Sequence, residues 1–205
     1  MALVKLNNRG VRSATAFGSI SALGSMTFIK KLTASSSATL SFVDGTSDVV
    51  LDNTYKEYLF TFNSIHPATD QTNFVFQGNV AGGSGYNETM TTSTFQAQHS
   101  ESGSSELSYE GGMDQAQGTA FQRIAHEIGN DNDQSSSGFL RIFNPSSTTF
   151  VKHFIAESQS YRYNDYSHRL FTAGYFNTTS AIDEIQFKMS SGNIDAGDIC
   201  LYGIN

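Results

Sequence analysis

Catalytic motifs are incomplete in this 205-residue sequence. His126-Glu127 resembles the start of a zinc-protease motif, but the second histidine would stand at position 130, which is Asn. Gly83-Ser84-Gly85 fails as a nucleophile elbow because Tyr86 occupies the position of the outer glycine. The five histidines are scattered along the chain, so no spacing predicts a catalytic triad. We therefore predict a protein that is not an enzyme, has no catalytic residues and needs no cofactor.

Two segments hold the oxygen ligands that calcium prefers. Residues 130–133 alternate Asn and Asp, but they lack the glycine and the final Glu of a calcium-binding loop. Asp44, Asp48 and Asp52 form a looser set near turns, where Asp commonly bonds the local backbone. We predict turns rather than a metal site at both places. Cys200 is the only cysteine, which excludes an intrachain disulfide and a multi-cysteine zinc site.

An aromatic and polar segment follows residue 160. Tyr161, Tyr163 and Tyr166 are interspersed with Arg162 and other polar residues. Aromatic faces beside Asn, Asp and Arg are typical of glycan platforms and of protein interfaces. Packing at the mouth of a sandwich accounts for the same pattern, so the sequence leaves these interpretations open.

The first 25 residues differ from the rest of the chain. Residues 17–22 and 23–28 form an approximate six-residue repeat, with a large apolar residue at the first and fourth positions. Small residues between apolar anchors suit an extended arm laid along another surface, and we assign residues 1–25 to such an arm. We expect its apolar side chains to fill pockets while its basic side chains give electrostatic register. The candidate partner-binding residues are Lys5, Arg9, Arg12, Phe17, Ile20, Leu23 and Met26.

Charge is segregated along this chain, whose formal net charge is −7. Residues 1–43 hold five basic side chains and no acidic one, whereas the rest holds seven basic and 19 acidic side chains. Two interpretations of this segregation are open. One is chance among so few charged residues, and the other is an arm that docks on an acidic protein surface. Nucleic acid is not an expected partner because the basic residues are too sparse for a phosphate stripe. No apolar run approaches the ~18 residues of a membrane span.

The elements that must position these residues are predicted to be strands. Segments with period-2 alternation recur from residue 26 onward, with turn signals such as Asp44-Gly45 and Asn144-Pro145 between them. The sequence predicts an all-β protein, an antiparallel jelly-roll-like β-sandwich of nine or ten strands over residues 26–205, with an extended N-terminal arm. Residues 97–118, rich in Ser, Gly and Glu, are predicted to form a long exposed loop. The clearest predicted strands cover residues 40–43, 58–62, 74–76, 121–128, 139–143, 151–155, 170–176, 182–189 and 197–204.

Aromatic residues occur on both faces of several predicted strands. Phe and Tyr total 25 residues, which is too many for a disordered chain. A second layer or a partner subunit is expected to cover the strands whose two faces are both apolar.

Four segments carry a family resemblance. They are residues 32–42 (LTASSSATLSF), 58–70 (YLFTFNSIHPATD), 142–149 (IFNPSSTT) and 182–204 (IDEIQFKMSSGNIDAGDICLYGI). In this order they resemble a β-sandwich module of structural proteins in marine tailed bacteriophages, especially those of cyanobacteria. The resemblance covers roughly residues 27–204, and it implies a virion surface protein without catalysis that decorates the head or forms part of a fibre. Trimers are common among such proteins.

The leading hypothesis is a capsid-surface decoration protein, of the cement or head-fibre kind, anchored by its N-terminal arm. Its expected partners are the major capsid protein or another virion protein, and further copies of itself in a homo-oligomer such as a trimer. We expect location in the virion after synthesis in the host cytoplasm, because no signal peptide is recognisable. The alternative is a tail-fibre or receptor-binding module that recognises host surface polysaccharide through the tyrosine-rich segment. A glycan hydrolase is disfavoured because no acid pair is identifiable.

Overall fold

The computed structural model describes residues 25–205, which form thirteen β-strands. In chain order these are β1 (Met26–Thr33), β2 (Leu40–Val43), β3 (Glu57–Pro67), β4 (Thr72–Val80), β5 (Met90–Ser100), β6 (Ser105–Tyr109), β7 (Ala116–Gly118), β8 (Gln122–Ile128), β9 (Ser136–Phe143), β10 (Lys152–Tyr161), β11 (Tyr166–Phe176), β12 (Ile182–Met189) and β13 (Ile194–Ile204). Within these residues no helix is long and apolar enough to cross a membrane.

Eight of the strands form a jelly roll. One sheet begins with the order β1-β13-β3-β9, the other has the order β2-β12-β4-β8, and the paired strands are antiparallel. Along these eight strands the chain passes from one sheet to the other at every step except β4 to β8. Two interlocked Greek keys with this order are the topology of a jelly roll. The two sheets face each other, which confirms the predicted all-β sandwich.

Five further strands enlarge the first sheet to nine strands. β10 and β11 pair beside β9, β5 and β6 pair beyond β11, and β7 also pairs with β5. We call this nine-stranded sheet the long sheet and the other the four-stranded sheet. β8, the edge strand of the four-stranded sheet, contacts β10 and β11 of the long sheet. The inner face of the long sheet therefore extends beyond β8, the edge strand of the four-stranded sheet.

The core is built from aromatic side chains that alternate along the strands. Phe60 and Phe62 of β3 point inward and are fully buried. Phe62 meets Phe74 of β4 with ring centroids 5.3 Å apart, and Phe60 meets Phe187 of β12 at 5.5 Å. Burying one Phe side chain contributes about 1.5–3 kcal/mol. This row of rings is therefore a principal stabilising contact between the two sheets.

The predicted strands are confirmed, since each of the nine predicted runs overlaps a strand of the structure. The predicted turns are also present, with positive φ at Gly45 (70°) and Asn144 (47°). The loop prediction for residues 97–118 is wrong, because the end of β5, all of β6 and β7 lie there. Much of the inner face of these strands lies past the edge of the four-stranded sheet, so polar side chains replace the expected alternation of apolar ones.

Candidate functional site

The residues predicted to anchor the arm fall in two groups. Six of them, Lys5, Arg9, Arg12, Phe17, Ile20 and Leu23, lie outside the described residues. Met26 opens β1, pairs with Ile204 of β13 and is 53% exposed. Because β1 is an edge strand of the long sheet, the chain enters the sandwich from the N-terminal side at that edge.

The tyrosine-rich segment forms the hairpin between β10 and β11. Tyr166 and Arg162 face the inner side, where the guanidinium carbon of Arg162 lies 5.7 Å from the centroid of the Tyr166 ring. The backbone amide of Tyr163 donates a hydrogen bond of 3.2 Å to the carbonyl oxygen of Glu127. The hairpin therefore brings Arg162 and Tyr166 together and attaches both to β8.

Tyr161 faces the opposite, outer side of the long sheet. Its hydroxyl donates to Glu101 Oε1 at 3.3 Å and lies at the same distance from Asp165 Oδ1. Partial burial and these two carboxylates raise the pKa of Tyr161 to about 12, so the phenol keeps its proton. A shallow groove of about 330 Å³ lies beside it, lined also by His99 and Gln159. Of the predicted tyrosines, Tyr161 is the one at a groove on the outer side.

Five polar side chains lie between the two sheets where the apolar core ends. We call Gln96, His126, Glu127, Arg162 and His168 the inter-sheet polar cluster. The rings of His126 and His168 lie 5.5 Å apart, and Nε2 of the fully buried His168 is 2.6 Å from Gln96 Oε1. Arg162 and Glu127 form an ion pair, and 11% of the Arg162 side chain is exposed. The cluster thus connects β5, β8 and β11 through polar contacts.

Burial controls the protonation of the cluster. It is the largest cause that lowers the pKa of His168 to about 3, and the positive charges of protonated His126 and of Arg162 act in the same direction. Burial also lowers the pKa of His126, and the attraction of Glu127 opposes this only in part. Burial acts to raise the pKa of Glu127, but His126 and Arg162 outweigh it and the pKa is lowered. At neutral pH one carboxylate therefore balances one guanidinium beside two neutral imidazoles.

The backbone of Glu127 is strained. Its φ is 46°, a left-handed conformation that non-glycine residues seldom adopt. The register of β8 against β4 also shifts between the pairs Thr72–Ile128 and Phe74–Ala125, as at a β-bulge. Residues held in such conformations are fixed by the surrounding structure and collect at sites with a role.

A cleft of about 390 Å³ lies next to this cluster, on the outer face of the four-stranded sheet. Three directly paired residues of adjacent strands line it, namely Val75 of β4, Arg123 of β8 and Lys188 of β12. Residues 112–115 and 120–122 line it too, together with Asn73 and Ser190. We call this the β8 cleft. Its volume lies in the range of small-molecule sites, about 300–1,000 Å³.

Exposed apolar side chains cover part of the outer face of the long sheet. We define the outer apolar face as Phe28, Phe95, Leu107, Tyr109, Ile155 and Phe171. Leu107 is 75% exposed, and the rings of Phe95 and Phe171 stack with centroids 4.5 Å apart. Large exposed apolar patches of this kind mark sites of association.

Ion pairs lie on the same face of the long sheet. They join Lys31 to Asp198, Arg141 to Glu57 and Arg169 to Glu157. Each pair cancels its own charge, so these six residues add no net charge to the face. Cys200 of β13, between the buried Ile199 and Leu201, also points to this side and is partly exposed.

Sequence reasoning missed the inter-sheet polar cluster and the β8 cleft. Each draws its members from three strands and at least one connecting segment that are far apart in the chain, and the pairing of the strands brings them together. One signal was available: Arg123 and Lys188 are basic residues inside strands, next to apolar neighbours that face the core. The outer apolar face, in contrast, matches the expectation from aromatic residues on both faces of a strand.

Comparison of the chain with protein families, with characterised proteins and with solved structures finds no significant match. Within residues 25–205, no group of three or more His, Cys, Asp and Glu side chains is arranged to hold a metal ion.

Proposed function

We propose that this chain is a non-enzymatic structural protein of a bacteriophage virion, a cement or head-fibre protein that decorates the capsid surface. Residues 1–25 are its attachment to the major capsid protein or to another virion protein. The observation that carries the proposal is the outer apolar face, since a jelly roll that exposes this many large apolar side chains is built for assembly. The resemblance of residues 27–204 to phage structural modules supports the same function.

The outer apolar face fits a second copy of the chain. Eight strands spaced about 4.8 Å apart make the long sheet about 34 Å wide, so a strip about 20 Å long that includes both the apolar side chains and the ion pairs has roughly 700 Å². A stable interface uses about 800 Å² on each partner. The whole chain carries a net charge of −7, which disfavours self-association. The acidic and basic side chains of ion pairs on this side of the sheet, such as Arg169–Glu157, cancel each other within one copy. They therefore add no repulsion between two copies that meet here.

The attachment by the arm is supported by charge and by position. Residues 1–25 contain Lys5, Arg9 and Arg12 and no acidic residue. They join the sandwich at β1, whose first residue Met26 is exposed. An acidic and apolar surface on the capsid would complement them, which would give both orientation and affinity.

A deletion tests the attachment. The chain lacking residues 2–25 should keep a folded sandwich, seen by circular dichroism and thermal melting, and lose binding to capsids that carry no decoration protein. A charge variant, K5Q/R9Q/R12Q, should bind with reduced affinity that depends less on salt than that of the unaltered chain. Full occupancy of capsids by the deleted chain would reject the proposed attachment.

A second candidate function is supported by the groove at Tyr161. A fibre tip that recognises host polysaccharide needs an aromatic ring beside hydrogen-bonding groups, and Tyr161, Glu101 and His99 supply them at the outer side of the hairpin. The variant Y161A should then abolish phage adsorption while capsid decoration is retained. Normal adsorption, together with a glycan array without hits, would reject this candidate.

A further inference from the structure

The β8 cleft contains two cations, Arg123 and Lys188, that form no direct ion pair within the described part of the chain, although the charges of Glu127 and Glu110 act on Arg123 from farther away. Among residues 25–205, no carboxylate oxygen lies within 4 Å of the charged nitrogens of Arg123 or Lys188, although four ion pairs of Lys or Arg with a carboxylate satisfy that limit. The Lys188 Nζ atom instead lies 4.0 Å from the centroid of the Phe121 ring, which is a cation–π contact. Arg123 and Lys188 lie on either side of Val75, so an anion in the cleft has a cation on each side of it.

The contacts of Arg123 leave its guanidinium free to bind. Its hydrogen-bond partner within the structure is His126 Nδ1, at 3.3 Å. The same Nδ1 atom lies 3.0 Å from the Asn73 oxygen, which also accepts the backbone amide of Glu127. A ring nitrogen either donates or accepts. When Nδ1 donates to Asn73, the Arg123 guanidinium is therefore left without an acceptor on this side of the cleft.

Asp114, on the wall of the cleft, is an acceptor for a ligand. Its Oδ2 atom accepts from the Tyr109 hydroxyl. Gln115 also lines the cleft, but its Oε1 atom is buried and has no hydrogen-bond partner among the described residues, so a ligand does not reach it without a shift of the side chain. A ligand hydroxyl would donate to Asp114, while neither a free carboxylate ion nor a fully ionised phosphate carries a donor.

From these groups we propose that the β8 cleft binds an acidic saccharide, with the carboxylate of a uronic acid unit on Arg123 and Lys188. A sugar hydroxyl donates to Asp114. The inference goes beyond attachment to the capsid, and it places saccharide binding away from the tyrosine hairpin.

The position of the β8 cleft agrees with this role. It lies on the outer face of the four-stranded sheet, and the outer apolar face belongs to the opposite side of the sandwich. Copies that associate through the outer apolar face would therefore leave the cleft open to solvent. The inter-sheet polar cluster adjoins the cleft through His126, whose Nδ1 atom lies 3.3 Å from the Arg123 guanidinium.

Titration of the purified full chain with galacturonate oligosaccharides tests the proposal by calorimetry and by chemical-shift mapping. We expect binding at low salt that weakens as salt is added, with the shifted amide signals at residues 112–123 and 188–190. The variants R123Q and K188Q should each weaken binding by about tenfold or more. The matched controls are K31Q and R169Q, which remove cations on the opposite side and should leave affinity unchanged.

Three results would reject the proposal. The first is the absence of binding at ~10 mM oligosaccharide, a concentration higher than the dissociation constants of weak specific sites. The second is equal affinity for galactose oligosaccharides, which lack the carboxylate, or equal binding of inorganic phosphate or of a poly-glutamate peptide. The third is binding that R123Q and K188Q leave unchanged although both variants melt at the temperature of the unaltered chain. None of these results depends on capsid binding, so failure here is distinct from failure of the proposed function.

Discussion

The imidazole rings of His126 and His168 lie 5.5 Å apart between the two sheets, one on β8 and the other on β11. Nε2 of His168 contacts Gln96 Oε1, and its Nδ1 atom is buried without a partner among the described residues. The two rings thus meet at the end of the core, and because burial lowers the pKa of both, both are neutral at neutral pH.

Acid should destabilise the fold through these histidines. Burial lowers the pKa of His168 to about 3 and lowers that of His126, whereas an unfolded histidine titrates near 6.5. Between pH about 6.5 and 4 the unfolded chain therefore binds protons that the folded chain does not bind. The free energy of unfolding should fall by roughly 1–2 kcal/mol per pH unit in this range. Urea titrations at several pH values measure it.

The variant H168Q isolates the contribution of His168. It should reduce the pH dependence of the unfolding free energy between pH 6.5 and 4, whereas H153Q, which alters an exposed histidine of β10, should leave it unchanged. A pH dependence identical in H168Q and the unaltered chain would contradict the assignment.

Removing Glu127 should destabilise the protein more than removing Glu157. The variant E127A leaves Arg162 nearly buried without its carboxylate, and we expect a loss of about 2–4 kcal/mol in unfolding free energy. The matched variant E157A breaks the more exposed pair with Arg169 and should cost about 0–1 kcal/mol. Chemical denaturation of both variants gives the comparison. Equal losses would mean that burial of the pair has no energetic effect.

Gly138 of β9 has no room for a side chain. A Cβ atom there would collide with the backbone oxygen of Glu157 and come within 2.8 Å of the Ser158 Cα atom and 2.9 Å of the Phe62 ring. The variant G138A should lose about 2 kcal/mol or more, because the colliding atoms belong to the backbone of paired β10. In G112A the new Cβ meets nothing within 4 Å, so its stability should change by less than about 0.5 kcal/mol.

Self-association should depend on the stacked rings of the outer apolar face. The variant F95S/F171S removes the closest aromatic pair, and sedimentation or light scattering should show a shift to monomer. Its melting temperature at low concentration should change little, because Phe95 is 45% exposed. The control variant Q159A replaces a polar residue on the same side of the long sheet, outside the outer apolar face, and should leave self-association unchanged. A monomeric unaltered chain at micromolar concentration would reject association through this face.

The strands were predictable where side chains alternate between core and solvent. The alternation at Phe60 and Phe62 predicts β3. The strand predicted from Ile182 to Met189 has the same bounds as β12 in the structure. The strand β6 was not predictable, because Ser105 to Tyr109 faces solvent on most of its surface and shows no apolar period. Sequence patterns report burial by an opposing layer, so strands that pair without such a layer leave no signal.

The sites were less predictable than the fold. Arg162 was recognised as a candidate, but its partner Glu127 lies 35 residues away and is aimed by a β-bulge that the sequence does not mark. The β8 cleft depends on the register that sets Val75 beside both Arg123 and Lys188. Register is decided by the packing of whole sheets, which a single sequence read in short windows does not specify.

The single cysteine on β13 makes the arrangement of copies in an assembly measurable without engineering. Cys200 points to the side of the long sheet that carries the outer apolar face, so one nitroxide label per chain would sit close to the proposed contact. Pulsed electron resonance on such a sample yields the spacing between labels. In a ring of three copies, all distances between labels are equal. In a ring of four copies there are two distances, and their ratio is that of the diagonal of a square to its edge.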